Sequence, residues 1–150
     1  MLKFHPGIAR SGIIVEFPHP VLVFRIRDAW DFEKMKVPLR DGDQIVGHSK
    51  AGSDIAIEGQ IGQHSGSLKL SEPEMLTTLN TIRDALDVNS VDGSYSLVAF
   101  NDDAVDDHRY FKNCTTTKFE FDLSNPNIYS FAAVIHAADP ILYSGSLPAL

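Results

Sequence analysis

The densest group of side chains able to do chemistry is Asn101-Asp102-Asp103-Ala104-Val105-Asp106-Asp107, with four carboxylates in seven positions. Hard oxygens at that density suit calcium. The EF-hand pattern is missing, however: there is no Asp-x-Asp-x-Asp-Gly spacing, no closing glutamate and no flanking helix. The run reads as a solvated hairpin tip between strands at Tyr95–Phe100 and His108–Lys112. Calcium binding by Asp102 to Asp107 stays as the alternative, to be dropped if calcium neither binds calorimetrically nor raises the melting temperature.

Cys114 is the only cysteine. A nucleophilic thiolate needs an electropositive setting or an adjacent histidine. The run Lys112-Asn113-Cys114-Thr115-Thr116 is strand-like, so a small packed residue is expected there. A disulfide within the chain is impossible. The six histidines (His5, His19, His48, His64, His108, His136) are dispersed, with no paired spacing that would gather zinc ligands. His136 is expected to be hydrogen-bonded and partly buried. Gly62-Gln63-His64-Ser65-Gly66-Ser67, followed by Lys69, lacks the Gly-Lys-Ser/Thr ending of a phosphate loop and reads as a turn. No nucleophile elbow or dinucleotide fingerprint is present. The expectation is therefore no catalytic, cofactor or metal site, and a protein that is not an enzyme.

The chain of 150 residues has 20 acidic and 13 basic side chains, a formal charge of −7. Apolar residues make up 43% and charged residues 22%, as in ordinary globular proteins, and disordered or collagen-like classes are excluded. Its length suits one domain able to bury roughly 70% of its unfolded surface. The acidic balance argues against a phosphate-backbone binder, which needs clustered Lys and Arg. Seven aspartates and no Lys or Arg fall between Asp84 and Asp107, so the excess is local. No stretch approaches the roughly 20 apolar residues of a membrane span, and Met1 to Gly7 has no leader-like apolar core. Synthesis in a cytoplasm is expected, and Asn113-Cys114-Thr115 is read as an accidental glycosylation sequon.

The elements that must position these residues are mostly strands. Gly12–Phe17 and Val21–Ile26 are β-branched and aromatic runs split by Pro18-His19-Pro20. Trp30 to Gly52 mixes charges with Pro38, Asp41-Gly42, Gly47 and Gly52 and reads as a long irregular loop with short extended pieces. Ser53–Ile61 alternates, with Ile55, Ile57 and Ile61 on one face and Gly59 at a bulge position. Lys118–Leu123 repeats the pattern and points Phe119, Phe121 and Leu123 inward. Ile128–Ala137 is apolar on both faces, which places it in mid-sheet or under a helix. The helix spans Glu72–Asp87, with Ser71 as N-cap, Glu74 closing a capping box and Pro73 in the first turn. Its apolar stripe is Met75, Leu76, Leu79, Ile82 and Leu86. The fold class expected is α+β, β-dominated: an antiparallel sandwich or barrel with one flanking helix, in a single domain over residues 1–150.

Four stretches together resemble the N-terminal domain of distal tail proteins, the hub components of long-tailed bacteriophages. They are Val37-Pro38-Leu39-Arg40-Asp41-Gly42-Asp43, the alternating Ser53–Ile61, the Ser71–Asp87 helix, and Phe131-Ala132-Ala133-Val134-Ile135-His136-Ala137-Ala138-Asp139-Pro140-Ile141-Leu142-Tyr143. The resemblance implies a tail-tube-like fold assembled as a hexameric ring that joins the tail tube to the hub or baseplate proteins. DNA would pass through the ring without specific binding, and the protein would reside in the virion. Carbohydrate adhesion, a property of C-terminal domains in larger family members, does not carry over. Long loops and open edge strands are the expected means of pairing with neighbours, and the acidic Asp84–Asp107 region is expected to face the channel or solvent. A tail tube protein is the nearest alternative. From another class, the alternative is a small-molecule-binding barrel or an enzyme, which would need an apolar pocket with converging polar groups.

Overall fold

Alternating strands that bury one face each need a second layer to cover that face, and the chain supplies it by folding one long sheet over itself. The computed structural model describes residues 1–10, 13–18, 21–36, 38–39, 41–62, 71–88, 94–102, 104–124 and 128–147. His19, Arg40, the 63–70 stretch with His64 and Lys69, Asp92 and Asp103 thus lie outside the described residues. The elements run in the order β1 (Lys3–Arg10), β2 (Ile13–Glu16), β3 (Val21–Arg27), β4 (Trp30–Lys36), β5 (Asp43–Lys50), β6 (Ser53–Gly62), α1 (Glu72–Leu86), β7 (Tyr95–Asp102), β8 (Asp107–Asp122), β9 (Ile128–Ala137) and β10 (Tyr143–Gly145). The main sheet has the order β2-β1-β7-β8-β9-β6-β3, with β10 added beside β8, and β4 and β5 form a separate ribbon. Every pairing is antiparallel.

The fold turns on β8. It pairs with β7 from Asp107↔Asp102 to Cys114↔Tyr95, then with β9 from Cys114↔Ala137 to Asp122↔Ser130. Cys114 has Tyr95 on one edge and Ala137 on the other, so the strand changes partners there. Asn113, just before the change, has φ 53, a left-handed conformation that asparagine tolerates better than most residues. The two strands expected at His108–Lys112 and Lys118–Leu123 are therefore halves of one 16-residue strand bent at this point.

Ile8, Leu97 and Phe111 from the first half of the sheet share one core with Ile57, Phe131 and Ile135 from the second. Ile55, Ile57 and Ile61 are all at most 1% exposed, as their alternation requires. Strand β9 lies between β8 and β6, the mid-sheet position expected for a run apolar on both faces. Helix α1 contributes Met75, Leu79, Ile82 and Leu86 to the same core. Leu76, expected in that stripe, is 44% exposed. It sits about 100° round the helix from Met75, and the small Ala85 is buried on the opposite flank instead. A smaller cluster of Ala9, Val98 and Tyr110 is covered by Tyr143 and Leu147, which is why β7 is buried on both faces.

Two further corrections concern strands that the sequence hides. Strand β1 runs through Pro6-Gly7, where the register with β7 shifts between Phe4 and Gly7. Proline is tolerated at such a bulge, and the Pro6 carbonyl accepts a hydrogen bond from the Phe17 N–H at 2.9 Å. The Trp30–Gly52 stretch is a hairpin, not an irregular loop: β4 and β5 pair from Trp30↔Lys50 to Lys36↔Asp43. Its Asp41-Gly42 turn residue Gly42 has φ 87, a conformation glycine adopts without steric cost.

Candidate assembly interface

The residues singled out for chemistry are held by structural contacts. Cys114 is fully buried, and burial pushes its thiol pKa up to about 12, the opposite of an activated nucleophile. His136 is half-buried and its Nδ1 lies 2.8 Å from Asp54 Oδ1, as a hydrogen-bonded residue on the outer sheet face. At the β7–β8 tip, Asp102 Oδ1 accepts from the Ala104 N–H at 3.0 Å. Its Oδ2 meets the Met1 amine at 2.5 Å, which with the turn holds the carboxyl below its ordinary range. Asp107 accepts from Arg109 at 2.8 Å, and His108 Nδ1 lies 3.4 Å from Asp106. Among the described residues no three His, Cys, Asp or Glu side chains converge as a metal cage would require. The structure also divides the acidic region. Asp84 and Asp87 stand at the end of α1, whereas Asp102, Asp106 and Asp107 stand at the far end of β7, an eight-residue strand on the order of 25 Å long.

What the topology brings together instead is a pair of exposed surfaces. The first is a ribbon. Between Arg27↔Asp54 of the main sheet and Trp30↔Lys50 of the hairpin, the Ala51 N–H donates to the Ala29 carbonyl at 2.8 Å. Strands β3–β4 and β5–β6 thus form one continuous two-stranded arm. At its root Ser53 Oγ donates to Asp28 at 2.5 Å and Lys50 Nζ lies 3.4 Å from the same carboxylate. The Ser53 hydroxyl, with help from Lys50, holds the Asp28 carboxyl below its ordinary pKa against the opposing effect of burial. Lys50 also lies 5.6 Å from the centre of the Trp30 ring, and Trp30 is 56% exposed. The arm ends at Pro38 and Leu39, with Leu39 fully exposed.

The second surface is the outer face of β3, β6, β9 and the second half of β8. Registry places Arg25, Ala56, Val134 and Lys118 in one row across it, and Val23, Glu58, Ala132 and Glu120 in the next. Small residues down the middle leave a groove of about 310 Å³ over Ala132 and Ser130, rimmed by Glu58, Glu120 and Asp122. Acidic residues outside Asp84–Asp107 therefore form the carboxylate-lined groove. Sequence reading missed them, although Glu58 and Glu120 alternate outward in strands that it identified.

No protein-family model and no curated protein sequence matches the chain. Among solved structures it is similar to the SPP1 Dit (gp 19.1) protein, described as a paradigm of the hub adsorption apparatus in Gram-positive infecting phages. That likeness has a TM-score of 0.57 at 13% identity and covers 92% of this chain but 51% of the SPP1 protein, so this chain spans about half its length. It is also similar to a tail chain of an empty GTA particle of C6 symmetry, with a TM-score of 0.55 at 9% identity over 97% of this chain and 96% of that one. At such identities the likeness is one of fold: this chain has the β-dominated fold of phage distal tail proteins.

Proposed function

We propose that this chain is a structural protein of a bacteriophage tail, a hexameric ring at the distal hub that connects the tail tube to the tip. One observation carries the reading: more than nine-tenths of the chain superposes on a phage hub protein and on a tail protein of a phage-like particle. The surfaces support it. A two-stranded arm that leaves the main sheet gives a neighbouring subunit backbone and side chains to bind, and sheet edges without strand partners among the described residues invite augmentation. A channel for DNA works best when its wall repels phosphates, and the net charge of −7 and the acidic outer groove fit that need. The role is one of assembly, not catalysis. Its partners are further copies of itself, tail tube protein and hub or baseplate proteins, and its place is the virion.

A second reading, the tail tube subunit itself, is favoured by a specific observation. The GTA tail chain is matched over nearly its whole length, whereas the SPP1 protein is matched over half. Electron microscopy of gold-labelled particles separates the two. Label confined to one site at the tail tip supports the hub ring, and label along the whole tube supports the tube subunit. Particles without label, from a lysate that contains the protein, would overturn both.

A further inference from the structure

Peptides beyond the last pair of a hairpin ladder meet solvent, and chemical change concentrates at such tips. In the arm the last pair is Lys36↔Asp43. Asp41 and Gly42 directly precede Asp43, lie outside the ladder, and are both exposed. Gly42 has φ 87, and a Cβ built there would meet no atom within 4 Å. Leu39, two residues before Asp41, is also left-handed at φ 62 and fully exposed. The sequence holds two aspartates followed by glycine, Asp41 and Asp92, and the second lies outside the described residues.

We propose that Asp41 is a site of spontaneous isomerisation to isoaspartate, through a succinimide formed with Gly42 at the tip of the folded arm. In the first step the Gly42 backbone nitrogen attacks Cγ of Asp41. A Cγ–N bond forms and one carboxyl C–O bond breaks. The oxygen leaves as water, taking the amide proton and one proton from solvent. The product is a five-membered ring with both carbonyl carbons of Asp41 on one nitrogen. Water then returns. Its attack at Cγ restores aspartate, whereas attack at the main-chain carbonyl carbon breaks that carbon's bond to the Gly42 nitrogen. The chain is then joined through Cγ, with its mass unchanged. Water is the only co-reactant.

The fold favours this aspartate over others. Ring closure requires the next residue's nitrogen to turn onto the aspartate side chain. Glycine has no side chain to obstruct that approach and adopts the widest range of backbone conformations. Asp54 provides the contrast. The residue after it is Ile55, β-branched and 0% exposed, and its strand is paired on both edges, through Arg27↔Asp54 and Asp54↔His136. Its carboxylate lies 2.8 Å from His136 Nδ1. Asp28 is held by Ser53 and Lys50, and Asp102 by the Ala104 N–H and the Met1 amine. Isomerisation at Asp41 adds one carbon to the main chain of the loop closed by Lys36↔Asp43 and shortens the stem of the carboxylate. The tip changes shape while the ladder below it is untouched. The site is the same whether the chain is a hub ring or a tube subunit.

Peptide mass spectrometry tests this. The folded protein and a synthetic peptide of residues 36–45 are held side by side at neutral pH and physiological temperature for several weeks. The protein is then cut after lysine, which releases Val37 to Lys50 as one fragment. Isoaspartate gives a second peak of equal mass, and electron-transfer fragmentation assigns it to Asp41 or Asp43. The expected result is isomerisation at Asp41 at a rate within about threefold of the free peptide's, since opening at a loop tip costs close to nothing. Asp41→Glu, whose ring would need six members, is expected to lose the second peak and to keep the wild-type melting curve. A rate in the folded protein more than about tenfold below the peptide's means that the fold holds Asp41 in place, and it overturns the proposal. Isomerisation at Asp43 instead, or a second peak that survives in the Asp41→Glu protein, overturns it as well.

Discussion

Gly52 sits where the arm enters the main sheet, and it has no room for a side chain. A Cβ there would lie 2.7 Å from the Ala137 carbonyl and 2.8 Å from His136 Nε2. Gly52→Ala is expected to destabilise the protein by about 1–3 kcal/mol in urea unfolding, because backbone of β9 must shift. The neighbouring Asp28 makes stability depend on pH. Its folded carboxyl titrates below the ordinary 3.8, chiefly through the Ser53 hydroxyl, so its contribution is complete above that value and is lost as pH falls through the lowered one. Asp28→Asn is expected to melt below wild type near neutral pH and to converge with it in acid, as followed by melting temperature against pH. At this scale the sequence was only partly legible. Cys114 as a small packed residue and His136 as a hydrogen-bonded one followed from their neighbours in the chain. The Asp28–Ser53–Lys50 node did not, since it joins residues that only the β3–β6 and β4–β5 pairings bring together.

Elements were legible where local chemistry and periodicity agreed. Helix α1 is the clearest case. Ser71 Oγ accepts from the Glu74 N–H at 3.4 Å and donates to the Glu74 carboxylate at 3.0 Å, while the Ala85 carbonyl in the last turn is bound by Arg10 Nε at 3.0 Å. Ser71→Ala is expected to cost about 0.5–2 kcal/mol and Ser71→Asp nearly nothing, measured by chemical denaturation. The β4–β5 hairpin was hidden for a physical reason. A register shift between Glu33 and Lys34 breaks the alternation that would have announced a strand, and the Asp41-Gly42 turn signal was left without flanking strands to join. Proline masked β1 in the same way, and β10 is only three residues long. In β8 a left-handed Asn113 made one strand look like two.

For the whole molecule, charge and composition limited the class of function, and the order of elements gave the fold class. The candidate interface was legible only in outline. Arg25-x-Arg27 and Glu120-x-Asp122 are visible as alternating charges, but nothing local says that they occupy opposite edges of one sheet. That follows from β8 changing partners at Cys114.

The arm also has a mechanical consequence. A pull on its tip at Pro38–Leu39 runs along β3–β4 and β5–β6, parallel to the strands and perpendicular to their hydrogen bonds. The bonds that tie β6 to β9, from Ser53↔Ala137 to Gly62↔Ile128, are then loaded together in shear, not opened one after another like a zip. A tensile load reaching a subunit through this arm would be spread over the full width of its main sheet before any single strand could peel away.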